Sequence, residues 1–392
     1  AWQRGAHIHA VNPLAFDHHF DPAQELVGDP NQQIADLAAV ATALGQLRGV
    51  ACSDELVSWA ARSGKEVAAR EIAQSLNVRE ASRVLFGDQA LRHPAASVLR
   101  RFARFIAQHS DSAFDEMPSG ANSAAAWRVG CVPHRGAGAS AVLNGANVLE
   151  LVASPRKAYV LYGSEVPEDF ADGKAATRAI ATADFVLAFS PFVNPALDNH
   201  ATVLLPIGLP PEIDGSYVNV DGTVQSFAAG AKLPGESRAG WRVLRALGEV
   251  LELPGFNEVN FADVHAKVRP LLEGGTVAEA TIIASPAAVA DGEGLIVQRY
   301  LPIYRIDGVV RRSAALQSTV LAESGELGIH PEDALALGLG NAGNVLISGQ
   351  RYRCTTTDEV PRGVCRVPSG YSQTASLPVT GQRVLIERVS HG

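Results

Sequence analysis

Methionine and cysteine are scarce in this chain of 392 residues, and long apolar runs are missing altogether. The four cysteines, Cys52, Cys131, Cys354 and Cys365, form no CxxC or CxxxC pair. Iron–sulfur clusters and structural zinc need closely spaced thiolates, so these cysteines alone build neither. Reduced, mostly buried thiols are the simpler reading. No apolar stretch approaches the roughly 18–20 residues of a membrane-spanning helix, and the opening residues have no signal-peptide pattern. A net charge of −8 argues against an electrostatic footprint on nucleic acid. Catalytic signatures are scarce as well: there is no HExxH and no GxSxG elbow, and the glycine-rich segment at 127–138 has neither the GxGxxG nor the GxxxxGK[ST] pattern. His7, His9, His18 and His19 are the conceivable metal ligands. Adjacent histidines do not share a helix face, and these four read as structural or solvated.

What is present is an ordinary globular composition, 47% apolar and 19% charged, long enough for two or three domains with their own cores. The single methionine is Met117, and the chain opens at Ala1 on a turn followed by a strand-like run. It is expected to be a piece of a longer polypeptide.

Residues 7–12 read as a strand with its partners expected upstream. Asp29 is placed to cap a helix with Pro30 at its first position and Ile34, Leu37, Ala38, Ala41 and Leu44 at helical spacing. One or two helices follow over 56–77, broken near Ser63-Gly64, then a strand over 83–87. An amphipathic helix over 94–109 carries Arg100, Arg101 and Arg104 on its solvated side. Residues 127–138 read as a short strand entering a glycine-rich loop, the kind that cradles phosphate when it lies between a strand and a helix N-terminus. Two β/α alternations then follow, with strands at 158–162 and 185–189 and a helix over 173–183. Such alternation implies a parallel sheet with helices on both faces. Ligands of these sheets bind at the carboxyl ends of the strands. That rule directs Gly163, Ser164 and Glu165, then Ser190 and Asn194, and then Glu212 to one crevice.

The stretch 201–227 organises the rest. An apolar run over 202–205 ends at Pro206, a Pro/Gly bend leads to Glu212, and Asp221-Gly222 is a hairpin signal between two short strands. Helices are expected over 240–251 and 261–272, with a weakly structured boundary over 276–294. Beyond it come short strands at 309–310, 345–348, 353–355, 364–367 and 384–389 and a helix over 331–338, a pattern that predicts a small β-barrel.

Ala201, Val203, Leu205, Pro206, Glu212, Gly215, Asn219, Gly222 and Gln225 match a pattern that recurs in the molybdopterin oxidoreductase superfamily. The segment Pro133-His134-Arg135-Gly136-Ala137-Gly138, the residues 234–248 with Gly240-Trp241, and Asn122, Asn144 and Asn147 resemble one branch of it. That branch is the large iron–sulfur subunit family of NADH–quinone oxidoreductase, respiratory complex I. Two positions depart from the pattern: Asp221 stands where glutamate is usual and Thr223 where arginine is usual, leaving the elbow less basic.

The resemblance implies an α/β fold of Rossmann-like, parallel-sheet domains followed by a small C-terminal β-barrel. It divides the chain into 1–150 (an α/β domain truncated at its N-terminus), 151–275 (Rossmann-like) and 276–392 (barrel). Gly163, Ser164, Glu165, Ser190, Asn194, Glu212, Gly215, Asn219, Gly222 and Gln225 become residues of a vestigial cofactor crevice, with Glu165 and Glu212 satisfied by backbone amides or a helix N-terminus. By the same resemblance this chain is a non-catalytic scaffold that holds no cofactor and no metal. The 4Fe-4S and 2Fe-2S clusters are expected in a preceding N-terminal region. Its partners are the other subunits of the complex I peripheral arm, with no nucleic acid and no direct membrane insertion, on the cytoplasmic side of the inner membrane. The alternative within the superfamily is the cofactor-embracing part of a true molybdopterin enzyme such as a formate dehydrogenase. An unrelated nucleotide-binding α/β enzyme accounts for neither the late short strands nor the conjunction of motifs.

Overall fold

The computed structural model describes residues 1–78, 81–118, 120–140, 142, 145–273, 289–340 and 342–389. Asn144 and most of the expected boundary over 276–294 lie outside the described residues.

The first core forms around the helix Pro30–Arg48. Asp29 caps it by accepting the Gln32 N–H at 3.0 Å, with proline at the first position. Its apolar residues Ile34, Ala38, Ala41 and Leu44 are fully buried against the helices Glu66–Asn77 and Ala96–His109. Asp36 on this helix is also fully buried, and Ser63 Oγ, Gln32 Nε2 and Lys65 Nζ each reach it at 2.7 Å. Two expectations need correcting here. The strand His9–Asn12 pairs in parallel with Gln24–Val27, downstream of it rather than upstream. The arginine face of Ala96–His109 is not simply wet: Arg100 grips Glu116 at 2.6 and 3.1 Å, and Arg101 reaches Glu55 at 2.7 Å.

The strand read into 127–138 is also replaced. Ser123–Val129 is a helix, because Ser-Ala-Ala-Ala-Trp-Arg-Val carries three consecutive alanines and Gly130 closes it in the left-handed conformation.

The centre is a parallel sheet of Ala158–Tyr162, Phe185–Ser190 and Val203–Pro206, in that order. Side chains alternate between its faces. Leu161, Val186 and Ala188 meet Ala176, Ala179 and Ile180 of the helix Gly173–Ala181 on one side. On the other side Leu187 and Phe189 meet Val243 and Leu247 of the helix Gly240–Val250, which leaves Val160 65% exposed and Phe185 41% exposed. This face is therefore only half covered by a helix.

The C-terminal strands do not close into a barrel. Seven strands form one open sheet, with Arg383–Val384 at one edge against Leu295–Tyr300 and Glu387–Arg388 at the other against Ala342–Ile347. Closure requires edge strands long enough to pair in a fixed stagger, and these two have two residues each. The run 384–389, expected as one strand, is thereby split between opposite edges. Residues 309–310 are not a strand either: Asp307 accepts the N–H groups of Val309 and Val310 at 2.8 and 2.9 Å and starts the helix Gly308–Arg312.

Candidate functional site

The loops leaving the central sheet at its carboxyl ends bring Gly163, Ser164 and Glu165 near Ser190 and Asn194, and Gly163, Ser190 and Asn194 are anchored to backbone groups of these loops. Gly163 donates its N–H to the Phe189 carbonyl at 2.8 Å. Ser190 is buried, its hydroxyl donating to the Phe192 carbonyl at 2.7 Å and accepting the Phe192 N–H at 3.2 Å. Asn194 uses both ends of its amide, accepting the Leu197 N–H at 2.9 Å to cap Pro195–His200 and donating to the Val166 carbonyl at 3.1 Å. It ties the exit of one strand to the exit of its neighbour.

Glu165 differs from its expected role. It is buried, and it is held by side chains rather than by backbone amides. Arg312 Nη1 donates to Glu165 Oε2 at 3.0 Å, and Arg312 Nη2 lies 2.6 Å from Oε1, off the hydrogen-bonding line. Arg311 Nε stands 3.5 Å from Oε2, and its Nη2 pairs with Asp169. Asp169 in turn accepts the Glu165 N–H at 2.7 Å. The Arg312 guanidinium lies over the Phe192 ring, 4.2 Å from its centre, so the cluster spans both strand exits. Gly308 leaves the room: a Cβ there would stand 3.0 Å from Glu165 Oε2.

Glu212 fits its expected role. Its carboxylate accepts the Leu209 N–H at 2.8 Å and closes the turn Pro210–Glu212. The remaining four candidates, Gly215, Asn219, Gly222 and Gln225, sit on a separate antiparallel hairpin, Gly215–Val218 with Val224–Phe227. Asn122 grips this hairpin, donating to the Ser216 carbonyl at 3.2 Å and accepting the Val218 N–H at 2.9 Å. Val218 packs on Ala125 and Leu272. Gly215 lies under the Phe227 ring, and Arg128 donates to the Gly222 carbonyl at 3.4 Å. Asn219 and Gln225 are exposed. The two positions that depart from the family pattern bond to each other: Asp221 Oδ1 accepts the Thr223 N–H at 2.9 Å, and that bond lowers the Asp221 pKa.

Arg311, Arg312 and Asp169 were not anticipated from the sequence. The available signal was charge alone, an acidic 165–169 segment and an arginine pair more than 140 residues later. Elsewhere, Ser226 Oγ lies 3.2 Å from His265 Nε2 at an open depression also lined by Asp214 and Asn260. His18 pairs with Glu25 at 3.0 Å, and no group of three or more His, Cys, Asp or Glu suited to a metal occurs among the described residues.

The comparisons with known proteins agree with this architecture. The NADPH-Fe(3+) oxidoreductase subunit alpha of Geobacter sulfurreducens is 24% identical over 216 residues, covering 55% of this chain and 21% of that one. The F420-dependent formate dehydrogenase 1 subunit alpha of Methanococcus maripaludis is 25% identical over 228 residues, covering 46% of this chain and 33% of that one. The NADH-ubiquinone oxidoreductase 75 kDa subunit of Reclinomonas americana is 39% identical over 71 residues, 18% of this chain and 10% of that one. Each match thus spans a third or less of the relative's length. The structure of acetylene hydratase from Pelobacter acetylenicus superposes on 97% of this chain and 70% of its own, with a TM-score of 0.66 at 12% identity, a likeness of fold alone. The profile of the family described as molybdopterin oxidoreductase matches residues 49–250, half of the chain and the part that carries the parallel sheet and its strand-end loops, and the chain belongs to that family.

Proposed function

We propose that this chain is a non-catalytic scaffold portion of a large multisubunit oxidoreductase subunit, of the kind found in NADH–quinone oxidoreductase. The observation that carries this reading is the state of the strand-end loops. A molybdopterin cofactor is anionic at its phosphates, and it needs uncompensated donors or cations. Here the buried Glu165 faces the arginines, Asp169 balances the second of them, and Ser190 and Asn194 spend their polar atoms on backbone. These residues do not fit a phosphate-bearing cofactor, and no chemical step is assigned to one.

A second line of support is surface. Val160, Tyr162, Phe185 and Val203 lie exposed on the half-covered sheet face, an unusual place for apolar residues of a parallel sheet. Surfaces of this kind are buried in assemblies. In this reading the iron–sulfur clusters belong to a preceding N-terminal region, the partners are the other subunits of the complex I peripheral arm, attachment to the membrane is indirect, and the expected 1–150, 151–275 and 276–392 division stands as part of the proposal. Among the described residues no helix is long and apolar enough to cross a membrane.

The second reading, the cofactor-embracing part of a formate dehydrogenase-like enzyme, draws on the 25% identity to that relative. Molybdenum, tungsten, iron and released-pterin analysis of the purified chain separates the two. A folded, metal-free and pterin-free protein supports the scaffold. Near-stoichiometric pterin overturns it.

A further inference from the structure

His7 and His9 stand two residues apart where the first strand begins. Extended backbone sends alternate side chains to the same side, and here the two ring centres are 6.5 Å apart with their planes at 71°. The helix-face argument that separates His18 from His19 does not apply to this spacing. His9 is half-buried, and its Nδ1 and Nε2 are both shielded from solvent without a hydrogen-bond partner. Among the described residues no other histidine has both ring nitrogens in that state. A neutral imidazole carries one N–H and one lone pair, and leaving both unused inside a protein is costly. Orphaned buried atoms of this kind call for a missing partner such as a water or an ion. The neighbouring side chains do not supply one. Gln24, in register with His9 on the next strand, gives its amide to Glu71. Glu25 is in register with Ala10, so it lies on the opposite face, where it takes up Asn12 and His18 at 3.0 Å each.

We infer that His7 and His9 form a two-histidine site for a divalent transition metal of the zinc and copper class, with solvent completing the coordination. Imidazole nitrogen suits these ions, and copper binds such donors more tightly than zinc. Two imidazoles on one tetrahedral zinc, at ~2.0–2.1 Å per bond, hold their ring centres about 5 Å apart. His7 is exposed, so a swing of its side chain by ~1.5 Å closes the difference while His9 stays seated. His9 opens its strand and Asn12 ends it, which puts the pair at the amino end, opposite the strand exits where ligands of parallel sheets bind. The site is therefore separate from the scaffold reading, which turns on molybdenum, tungsten, iron and pterin at the other end of the sheets.

The test is calorimetric titration of the full chain with Zn²⁺ at pH ~7.5, where imidazole is neutral, with folding checked by circular dichroism. The wild type is expected to bind one equivalent with a Kd below ~100 µM. His7→Gln and His9→Gln are each expected to weaken that binding at least about tenfold, and His18→Gln to leave it unchanged. Cu²⁺ is expected to bind the wild type more tightly than Zn²⁺ and to be lost with the same two variants. If His9→Gln does not fold, the exposed His7→Gln decides alone, read also by thermal denaturation, since an ion that binds only the native state raises Tm. A Zn²⁺-dependent rise in the wild type that shrinks in His7→Gln supports the site, and equal rises overturn it. Two calorimetric results also overturn it: no one-equivalent binding up to ~1 mM, or binding that survives His7→Gln and disappears with His18→Gln, which puts the ion at the His18–Glu25 pair instead.

Discussion

His93 Nε2 lies 2.9 Å from the carbonyl oxygen of Pro30, 63 residues earlier, while His93 Nδ1 accepts the Ala95 N–H at 2.9 Å. The buried ring thus joins the first turn of Pro30–Arg48 to the start of Ala96–His109, and it uses both nitrogens in the neutral form. Burial lowers its pKa to about 4, against the opposing effects of the Pro30 carbonyl and the Asp29 charge. The folded value is below the unfolded one, so the stability contributed by the neutral ring is complete above pH ~6.5 and is lost as pH falls towards 4. The full loss amounts to about 3 kcal/mol. Denaturation midpoints measured across this window should fall more steeply for the wild type than for His93→Gln. Parallel slopes would rule this linkage out.

The two arginines that meet Glu165 should not be equivalent. Arg311 is almost completely buried, and Arg312 has a side chain 37% exposed. Arg311→Met leaves Asp169 without its ion pair and the buried Glu165 with Arg312 alone, and is expected to cost about 3 kcal/mol. Arg312→Met removes the hydrogen bond to the buried Glu165 but leaves the Arg311 charge beside it, and is expected to cost less, about 1–2 kcal/mol, because the Arg312 guanidinium is itself 37% exposed and partly screened. Urea denaturation of both variants checks the difference, and equal losses would contradict the burial argument.

Glu212 and Asn194 are expected to act through local structure. Glu212→Ala loses one bond to the Leu209 N–H and should cost about 1 kcal/mol. Asn194→Ala removes a helix cap and leaves the Val166 carbonyl without its donor, for a loss of about 2 kcal/mol. Differential scanning calorimetry orders the pair. In an assembled, cluster-loaded complex, turnover should survive both changes, and its loss with Glu212→Ala would count against the scaffold role.

The glycine-rich loop is built for close backbone approach. Gly130 has φ +82°, and a Cβ there would meet the Gly136 carbonyl carbon at 2.3 Å. Gly64 shares the left-handed conformation, at φ +66°, but has open space around it. Gly130→Ala is expected to cost about 2–4 kcal/mol and Gly64→Ala about 1 kcal/mol. Chemical denaturation of the two variants separates backbone crowding from conformational preference alone.

The exposed sheet face offers a separate check on assembly. Val160→Lys should change the stability of the isolated chain by no more than ~0.5 kcal/mol, because the residue is already in solvent. If this face docks a partner, the same change weakens co-purification with the other subunits of the peripheral arm. Unchanged assembly would remove this face from the scaffold argument.

Much of the architecture is legible in the sequence because it depends on near neighbours. Asp29-Pro30 announces a helix, Asp221-Gly222 a hairpin, and the apolar runs at 158–162 and 185–189 two strands, since each signal acts within a few residues, although burial of the first, expected from its apolar run, holds only for Leu161. The same locality explains the errors. Val309-Val310 favours a strand by side chain, yet the preceding Asp307 caps a helix there. Residues 127–138 read as a short strand entering a glycine-rich loop, yet the three alanines before them carry the helix Ser123–Val129 and Gly130 ends it.

The sequence by itself determined that a parallel α/β sheet would place Glu165, Ser190, Asn194 and Glu212 at strand exits, because strand direction and crossover geometry follow from β/α alternation. Only the tertiary structure decided what those residues do. Glu165 meets Arg312 across 147 residues of chain, and burial of that pair turns a carboxylate at a ligand crevice into the partner of the protein's own arginines. Charge pairing at such separation has no local pattern, and a long-range contact is fixed only when the sheet, the loop and the helix Gly308–Arg312 pack together.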